Sequence, residues 1–391
     1  MSELNFDHFE DIISDNENFK SELNGKKKLT IKWGADPSAP DLHLGHYVIL
    51  NQLAKFQRLG HQIIFIIGDF TAQIGDPTGK SVTRKPLTKD DVKANAETYL
   101  NQVFKVLDQS KTTVVYNASW LNQLTPNEIV SLCAKFTVAR MLERDDFSKR
   151  YKNNSPISIH EFLYPLLQGY DSVHLKNDVE IGGTDQKFNL LVGRHLQKEA
   201  GLTPQSVLTL PILEGLDGTQ KMSKSLNNHI GILDKPNDMF GKCMSIPDEL
   251  IIRYFSLLTN CTRQEIQEKS TALKQGENPR NLKLELAHYI VTTFHSDESA
   301  TNAQNNFINV FSNKALPDDI PSVHIESTTP LHLLSFLNEQ KLIPSKKEGR
   351  RLIEQGAISI NEERVSNPNH SFEPIKDTII KVGKRKYLKI N

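Results

Sequence analysis

Two histidines stand three residues apart in the segment His43-Leu44-Gly45-His46. Side chains at this spacing project from one face of a helical turn, so both imidazoles are expected to point the same way. Gly45 has no side chain and lets a flat, charged ligand approach the backbone closely. Two hydrogen-bond donors on one side of a triphosphate can stabilise the negative charge that develops on the equatorial phosphate oxygens during the reaction. The spacing therefore predicts a site for a nucleoside triphosphate, although a surface helix or half of a metal site shows the same spacing.

Two lysines, also three residues apart, stand in the segment Lys221-Met222-Ser223-Lys224-Ser225, after a turn at residues 215–218. Amines in a loop flanked by glycine and serine are mobile cations, which suits them to hold pyrophosphate as it leaves. Taken alone, such a loop is usually solvated surface. A zinc site would need further ligands nearby, and no cysteine is close in sequence to the two histidines. Together, the two segments are a specific signal for a site at which a triphosphate is cleaved.

The elements around these segments predict a doubly wound α/β fold. Residues 29–33 have the pattern of a strand that enters Gly34, and residues 47–59 have the apolar spacing of a helix. The histidines then lie at a strand-to-helix turn, where backbone N–H groups and the helix dipole favour anions. Further strand-like segments alternate with helical patterns, at residues 61–68, 112–116, 179–182 and 207–210. Such alternation is typical of a Rossmann-like parallel sheet, in which ligands bind beyond the carboxyl ends of the strands.

The predicted helix 158–171 carries polar side chains that could reach this edge of the sheet. Tyr164, Gln168 and Asp171 lie along one stripe, which His160 continues one turn earlier. Polar groups among Phe and Leu are costly to bury unless each finds a partner. The stripe is therefore either the wall of a small-ligand pocket or the solvent face of the helix.

Two loops could reach the same edge. Residues 68–85 are rich in Gly, Asp and Thr and end in Lys and Arg, which predicts a flexible lid or, alternatively, ordinary surface. The turn Gly182-Gly183-Thr184-Asp185-Gln186 combines backbone access with a carboxylate that can accept both hydroxyls of a ribose. Thr184 or Asp185 could also cap the following helix, which requires no ligand, and both interpretations can hold at once.

The two signature segments resemble those of class I aminoacyl-tRNA synthetases. With residues 164–171, the turn 182–186 and Gly75-Asp76-Pro77, the chain resembles the bacterial tyrosyl-tRNA synthetases over nearly its whole length. The resemblance implies that L-tyrosine is activated by ATP to tyrosyl-adenylate and is then transferred to the 3′ terminal adenosine of tRNA. It also implies a homodimer, for which the helices at 119–150 are a plausible surface. Since no carboxylate cluster suggests a metal cage, Mg²⁺ is expected to arrive with ATP.

The resemblance assigns expected roles by position. Tyr164, Gln168 and Asp76 would hold the ammonium group of tyrosine, and Asp171 would accept its hydroxyl. The expected tyrosine-binding residues are Asp36, Asp76, Tyr164, Gln168, Asp171 and Gln186. The expected ATP-binding residues are Ser38, Gly45, Gly183, Asp185, Gln186, Met222, Ser223 and Ser225. The expected catalytic donors are His43, His46, Lys80, Arg84, Lys221 and Lys224.

The sequence departs from the better-known branch of the family at two positions. Lys32 stands where that branch has a tyrosine that contacts the substrate hydroxyl, and Lys187 stands where it has tryptophan. These differences indicate a second bacterial subtype and leave the partner of the hydroxyl open. Three alternatives also remain open, namely a tryptophanyl-tRNA synthetase, a nucleotidyltransferase that adenylylates a small metabolite, and an RNA-binding scaffold without activity.

Charge and composition favour a cytoplasmic protein with a polyanionic partner. The 391 residues carry no net charge, but residues 341–391 hold twelve Lys and Arg against six Asp and Glu. A basic tail on an acidic body points to RNA, here tRNA. Three cysteines without a Cys-x-x-Cys pair indicate free thiols in a reducing compartment. The first residues are acidic and amphipathic, unlike a signal peptide, and no apolar run approaches membrane length, so we expect neither a signal peptide nor a membrane span.

The pattern predicts three domains. A catalytic domain at 1–232 contains a mostly helical insertion at about 119–154, a helical anticodon-side domain spans 233–325, and a small basic domain spans 331–391. In the last, we expect an amphipathic helix at 331–342 and a second helix capped by Ser345 and closed by Gly356, followed by short strands. The second helix carries the expected RNA-binding residues Lys346, Lys347, Arg350 and Arg351. This arrangement resembles a small RNA-binding fold that is shared with a ribosomal protein.

Overall fold

A sheet of six strands organises the N-terminal part of the computed structural model. The model describes residues 4, 6–25, 27–37, 40–77, 88–312, 320–325, 329–361, 363–383 and 386–391. The strands lie in the order β1-β6-β5-β2-β3-β4. They are β1 (Asp11–Ile13), β2 (Thr30–Ala35), β3 (Gln62–Ile67), β4 (Thr112–Tyr116), β5 (Val179–Gly183) and β6 (Ser206–Leu210). All neighbouring pairs run parallel except β1 and β6, so the predicted doubly wound fold is confirmed.

The strand order creates a crevice beside β2. From β2 the chain continues outward to β3 and β4, and it later returns to place β5 and β6 on the opposite side of β2. Ligands in such sheets bind where the strand order reverses, outside the carboxyl ends of the strands. Every residue of β6 and most of β3 are buried, as expected when helices cover both faces of a parallel sheet. The edge strand β1 was not predicted, because three half-buried residues give no clear alternation.

Helices cover this sheet and follow it along the chain. The first group consists of α1 (Phe19–Asn24), α2 (Leu44–Arg58), α3 (Thr71–Ile74), α4 (Lys89–Val103), α5 (Ala118–Leu121), α6 (Pro126–Cys133), α7 (Val138–Met141), α8 (Asp145–Lys152), α9 (Ile159–Leu175) and α10 (Lys187–Glu199). The second consists of α11 (Pro236–Met244), α12 (Ile251–Leu258), α13 (Arg263–Lys274), α14 (Pro279–Phe294) and α15 (Asp297–Ser312). Short 3₁₀ turns span Phe6–His8, Gln109–Lys111, Thr184–Gln186, Lys224–Leu226 and Asp248–Leu250.

The segment between β4 and α9 contains the helices α5 to α8. Its buried side chains Trp120, Leu132 and Met141 pack with residues of α9 and α10 into one apolar cluster. The buried pair of Arg150 and Glu161, with an Nη1–Oε2 distance of 2.6 Å, joins α8 to α9. These contacts fix the insertion beside the crevice.

The chain forms two compact units, Met1–Thr301 and Asn302–Asn391. The first unit contains both the sheet and the helices α11–α14, so the predicted boundary at 232 does not coincide with a division into compact units and stays a prediction. Among the helices that the structure describes, none combines the length and the apolar character that a membrane crossing requires.

The second unit contains the C-terminal part of α15, a five-stranded sheet that is mostly antiparallel, a separate two-stranded sheet and two further helices. Its other elements are β7 (Ser322–Val323), β8 (Leu331–His332), α16 (Leu333–Glu339), α17 (Lys346–Glu354), β9 (Ile358–Ile360), β10 (Glu363–Arg364), β11 (Ser371–Phe372), β12 (Ile379–Val382) and β13 (Lys386–Ile390). Ser345 caps α17 by accepting the amide of Glu348 at 3.2 Å, as predicted. The helix predicted at 331–342 is shorter, because residues 331–332 instead pair with β11.

Candidate active site

A cavity of about 720 Å³ opens at the point where the strand order reverses. Its wall combines the end of β2, the start of α2, one face of α9, the end of β5 and the segment 221–225. The expected site residues in this wall are Asp36, His43, Gly45, His46, Asp76, Tyr164, Gln168, Asp171, Gly183, Asp185, Gln186, Lys221, Met222, Ser223 and Lys224, together with Ser225. Three other expected residues, Ser38, Lys80 and Arg84, lie outside the described residues, as does most of the predicted lid.

Backbone hydrogen bonds bring the two signature segments together. The amide of Leu44 donates to the carbonyl of Ile230, and the amide of Ile232 donates to the carbonyl of Leu42, each at 3.0 Å. A third backbone hydrogen bond, from the amide of Met222 to the carbonyl of Leu213 at 2.8 Å, connects the lysine segment to the chain that leaves β6. The imidazoles and the lysines therefore surround one cavity although they are remote in sequence.

The two imidazoles at the start of α2 are uncharged donors. Nδ1 of His43 accepts the amide of Gly45, and Nδ1 of His46 accepts the amide of His43, both at 3.2 Å. Burial lowers the pKa of His46 to about 4 and holds the pKa of His43 well below its usual value, with nearby His46 adding to the latter effect. Because each Nδ1 is an acceptor, the proton of each neutral ring is on Nε2.

The two loop lysines are paired with carboxylates of the cavity wall. Nζ of Lys221 lies 3.2 Å from Oδ2 of Asp185, and Lys224 pairs with Asp41. All four side chains are partly exposed, so these ion pairs are weak and can exchange for a bound anion. Buried Asn228 fixes the loop beneath them by accepting the amide of Ser223 at 2.8 Å and donating to Asp217 at 2.6 Å.

The polar stripe of α9 faces the cavity, which excludes the alternative of a solvent face. Tyr164 and Asp171 are buried, and the hydroxyl of Tyr164 donates to Oδ2 of Asp36 at 2.8 Å. Oε1 of Gln168 accepts a hydrogen bond from the side-chain Nδ2 of Asn189 at 3.1 Å. His160 is not part of the cavity wall.

The carboxylate of Asp171 has two neutral donors that the sequence did not single out. Trp120 Nε1 donates to Oδ1 at 2.8 Å, and Asn117 Nδ2 donates to Oδ2 at 3.3 Å. Burial raises the pKa of Asp171 to about 7, against the lowering effect of nearby Lys32. Asn117 directly follows β4 and Trp120 lies in α5, and no local pattern connects them to α9 in sequence.

The turn after β5 presents Asp185 and Gln186 to the cavity. Nε2 of Gln186 donates to Oδ2 of Asp76 at 2.7 Å. The hydroxyl of Thr184 donates to the carbonyl of Leu210 at 3.2 Å, and no side-chain cap forms at the start of α10. The alternative that Thr184 or Asp185 caps the helix is therefore wrong.

The two lysines at the divergent positions lie in different environments. Lys32 is buried in the cavity wall and pairs with buried Glu180 at 2.8 Å. Lys187 pairs with Asp11 at 2.6 Å and is not part of this wall. Among the described residues, no group of three or more His, Cys, Asp or Glu side chains is arranged to hold a metal ion.

Comparison with known proteins agrees with this site. A family model described as tRNA synthetases class I (W and Y) matches residues 24–312, and one described as the tyrosine–tRNA ligase SYY-like C-terminal domain matches residues 312–390. The tyrosine–tRNA ligase of Idiomarina loihiensis is 52% identical over 383 residues, which are 98% of this chain and 95% of that protein. The tyrosine–tRNA ligase of Coxiella burnetii is 53% identical over 381 residues, which are 97% of this chain and 95% of that protein.

A solved structure shows the shared fold. The C-terminally truncated mitochondrial tyrosyl-tRNA synthetase of Aspergillus nidulans superimposes with a TM-score of 0.64 at 23% identity, covering 78% of this chain and 92% of that chain. The chain therefore belongs to the class I aminoacyl-tRNA synthetases, whose reaction uses ATP. Within that class, it belongs to the tyrosine–tRNA ligase family.

We expect the imidazoles of the free protein to titrate far below ordinary histidines. The ring ¹H–¹³C resonances of His46 should move with a midpoint near pH 4, and those of His43 well below 6.5, because burial disfavours the charged rings. The free energy of unfolding should fall as the pH drops from 6.5 toward 4. In this range the two histidines bind protons in the unfolded chain, whereas their buried rings in the folded protein stay neutral. His43→Gln and His46→Gln variants assign the resonances. A midpoint near 6.5 for both rings would contradict the described geometry.

Proposed function

We propose that this chain activates L-tyrosine with ATP and then transfers the tyrosyl group to the 3′ terminal adenosine of its tRNA. The observation that carries the proposal is a single cavity with two chemically different ends. At one end, His43 and His46 stand opposite Lys221 and Lys224, and at the other Asp171 lies buried behind the stripe of α9. One end suits a triphosphate, and the other suits an amphiphilic side chain that ends in a hydroxyl.

The inner end of the cavity fits tyrosine. Asp171 supplies acceptor capacity beyond the two bonds that it already receives, so it can accept a phenolic hydroxyl. Tyr164, Gln168 and Asp76 line the same cavity, where they would hold the substrate's ammonium group. Asp36 orients Tyr164 through its 2.8 Å hydrogen bond and contributes negative charge beside that ammonium group.

The outer end of the cavity fits ATP. The Nε2–H groups of His43 and His46 would donate to the phosphates as the tyrosine carboxylate attacks the α-phosphate. Lys221 and Lys224 would leave Asp185 and Asp41 for the β- and γ-phosphates and stabilise the departing pyrophosphate. Such catalysis rests on alignment and on charge placed where it develops. Mg²⁺ would enter with ATP as part of the substrate.

The remaining nucleotide contacts are proposed by position. Gly45 leaves room for the nucleotide against the backbone, and the carboxylate of Asp185 would accept the ribose hydroxyls once Lys221 releases it. Gln186 donates a hydrogen bond to Asp76 and would face both the ribose and the aminoacyl group. The other proposed ATP-binding residues are Ser38, Gly183, Met222, Ser223 and Ser225, and the other proposed catalytic cations are Lys80 and Arg84.

ATP–pyrophosphate exchange with a panel of amino acids tests this function. We expect exchange with tyrosine only, because phenylalanine would leave Asp171 without its partner and tryptophan would place a bulkier ring against the same wall. Phenylalanine is the decisive control, since it differs from tyrosine only in lacking the hydroxyl that Asp171 would accept. Exchange with tryptophan would instead favour a tryptophanyl enzyme, and absence of exchange with every amino acid would favour a nucleotidyltransferase or an inactive scaffold.

Helix α17 supports the binding of tRNA. Its exposed face carries four cations, which are Lys346, Lys347, Arg350 and Arg351, whereas Gly349 and Ile353 face the core of the second unit. A row of exposed cations on a compact module suits contact with phosphates.

Replacing these four cations by Gln should raise the KM for tRNA and leave ATP–pyrophosphate exchange unchanged. In a plot of the logarithm of tRNA affinity against the logarithm of salt concentration, the slope should become less steep by about 0.7–0.9 for each lost phosphate contact. Lys28→Gln with Lys198→Gln, on exposed positions of the first unit outside residues 233–325, is the control. Equal loss of exchange and of charging, or an unchanged salt dependence, would count against RNA contact at α17.

The helical insertion supports a homodimer. Val130 on α6 and Val138 on α7 are 67% and 62% exposed, while the opposite sides of these helices pack into the apolar cluster with α9 and α10. Exposed valines on helices that are otherwise anchored suit a surface covered by a second copy of the chain.

Val130→Glu with Val138→Glu should therefore shift the protein from dimer to monomer in sedimentation velocity at equal concentration. Burying two carboxylates at an apolar interface is unfavourable, whereas each valine is already exposed in the single chain. Ile375→Glu, at an exposed apolar position of the second unit, should not change the oligomeric state. A parent protein that sediments as a monomer, or a variant that stays dimeric, would rule out this surface.

A further inference from the structure

A buried lysine lies at the inner end of the cavity. The Lys32 side chain is 1% exposed, yet it forms part of the cavity wall. Its Nζ lies 2.8 Å from Oε1 of Glu180 and 2.5 Å from the hydroxyl of Ser172. Burying an ammonium group costs free energy even when it is paired, so a lysine at this position needs a reason beyond stability.

The partners of Lys32 hold its charge in one place. Glu180 is buried and also accepts the hydroxyl of Ser172 at 3.1 Å and the side-chain amide of Gln205. Lys32 comes from β2, Glu180 from β5 and Ser172 from α9, so three elements of the fold converge on the ammonium group. A rotation of the lysine away from the cavity end would break contacts to two of these elements.

The positive charge of Lys32 acts on Asp171, which directly precedes Ser172 in α9. Burial raises the pKa of Asp171 to about 7, Lys32 opposes that rise, and Glu180 adds to it to a smaller extent. The direct hydrogen-bond partners Trp120 and Asn117 are neutral and also lower the pKa.

The other titratable groups near Asp171 are few among the described residues. Tyr164 on α9 interacts with Asp171, Asp36 and Asp76, and burial holds the pKa of its hydroxyl well above the usual value. His174, also on α9, stacks on Trp120 with ring centroids 4.5 Å apart. Lys32 is thus the cation that offsets the burial of Asp171.

We propose that Lys32 is a positioning residue for substrate selection: its buried ammonium group, fixed by Glu180 and Ser172, keeps the Asp171 carboxylate charged and ready to accept a phenolic hydroxyl. The identity of that ligand rests on the proposed function, whereas the effect on Asp171 does not. Lys32 acts through Asp171, because two of its three N–H donors are already directed to Ser172 and Glu180.

Trp120 offers a direct readout, because its indole N–H donates to Asp171. The sequence contains two tryptophans, Trp33 and Trp120, so a Trp33→Phe background leaves one fluorophore. In that background, fluorescence of the free protein should change with a midpoint near pH 7 as Asp171 takes up its proton. Asp171→Asn should remove this transition, and any change that persists belongs to another group.

Two charge variants should move the midpoint in opposite directions. Lys32→Met removes a cation and should raise it by about one pH unit, while Glu180→Gln removes an anion and should lower it by a smaller amount. A purely structural role for the pair would move both midpoints the same way or neither. Unmoved midpoints, or shifts in one direction, would overturn the proposal.

Lys32→Met leaves Glu180 buried without its cation and could fail to fold. The double variant Lys32→Met/Glu180→Gln removes both charges, and its midpoint should still rise, by less than in the single variant, because Lys32 acts on Asp171 more strongly than Glu180 does. A midpoint in the double variant equal to or below that of the parent would contradict the proposal.

Kinetics link the charge to selection. At pH 7, Lys32→Met should raise the KM for tyrosine in pyrophosphate exchange about fivefold, because a rise of about one unit from a pKa near 7 lowers the ionised fraction of Asp171 by that factor. The double variant should raise the KM by less, and in both variants the KM should recover at higher pH as Asp171 ionises. Asp171→Asn should show a raised KM without recovery. If the parent supports pyrophosphate exchange with tyrosine but the KM of the lysine variants does not depend on pH in this way, the inference about Lys32 is wrong and the proposed function stands. If the parent does not exchange tyrosine at all, the proposed function fails, and the selective role of Lys32 fails with it.

Discussion

The backbone hydrogen bonds between residues 42–44 and residues 230–232 are the constraint on which the rest of the active site depends. They fasten the start of α2 to the chain that follows the lysine segment, so that His43 and Lys224 are held on the same cavity. Neither segment could create this site alone, since one supplies uncharged N–H donors and the other supplies full positive charges. The reversal of strand order beside β2 provides the space between them.

Burial gives the two ends of the cavity opposite electrostatic properties. At the nucleotide end, burial removes the charge of His43 and His46, so positive charge comes from lysines that can move. At the inner end, burial would neutralise Asp171, and the fixed charge of Lys32 opposes this effect. Mobile cations suit a phosphate group that arrives and departs, whereas a fixed charge suits a contact that must discriminate between similar side chains.

Much of the fold was predictable because its signals are local. The parallel strands have continuous apolar runs, and α9 has helical spacing that placed Tyr164 and Asp171 on one face. The partners of Asp171 were not predictable, because Trp120 and Asn117 reach it only through tertiary packing of the insertion against α9. The strand β8 was also missed, since two residues directly before a helix are read as part of the helix until their pairing with β11 is known. Roles for Lys80 and Arg84 stay predictions based on resemblance.

A double-mutant cycle on pyrophosphate exchange with tyrosine measures whether the two segments act as one unit. His46→Ala and Lys221→Ala remove one group from each segment, and the charge of Lys221 already contributes to the lowered pKa of His46. If both groups act on one triphosphate, the loss in the double variant should be smaller than the product of the single losses by at least about fivefold, or roughly 1 kcal/mol of coupling. Losses that multiply without coupling would show that the two segments act independently, and the account of a shared site would be wrong.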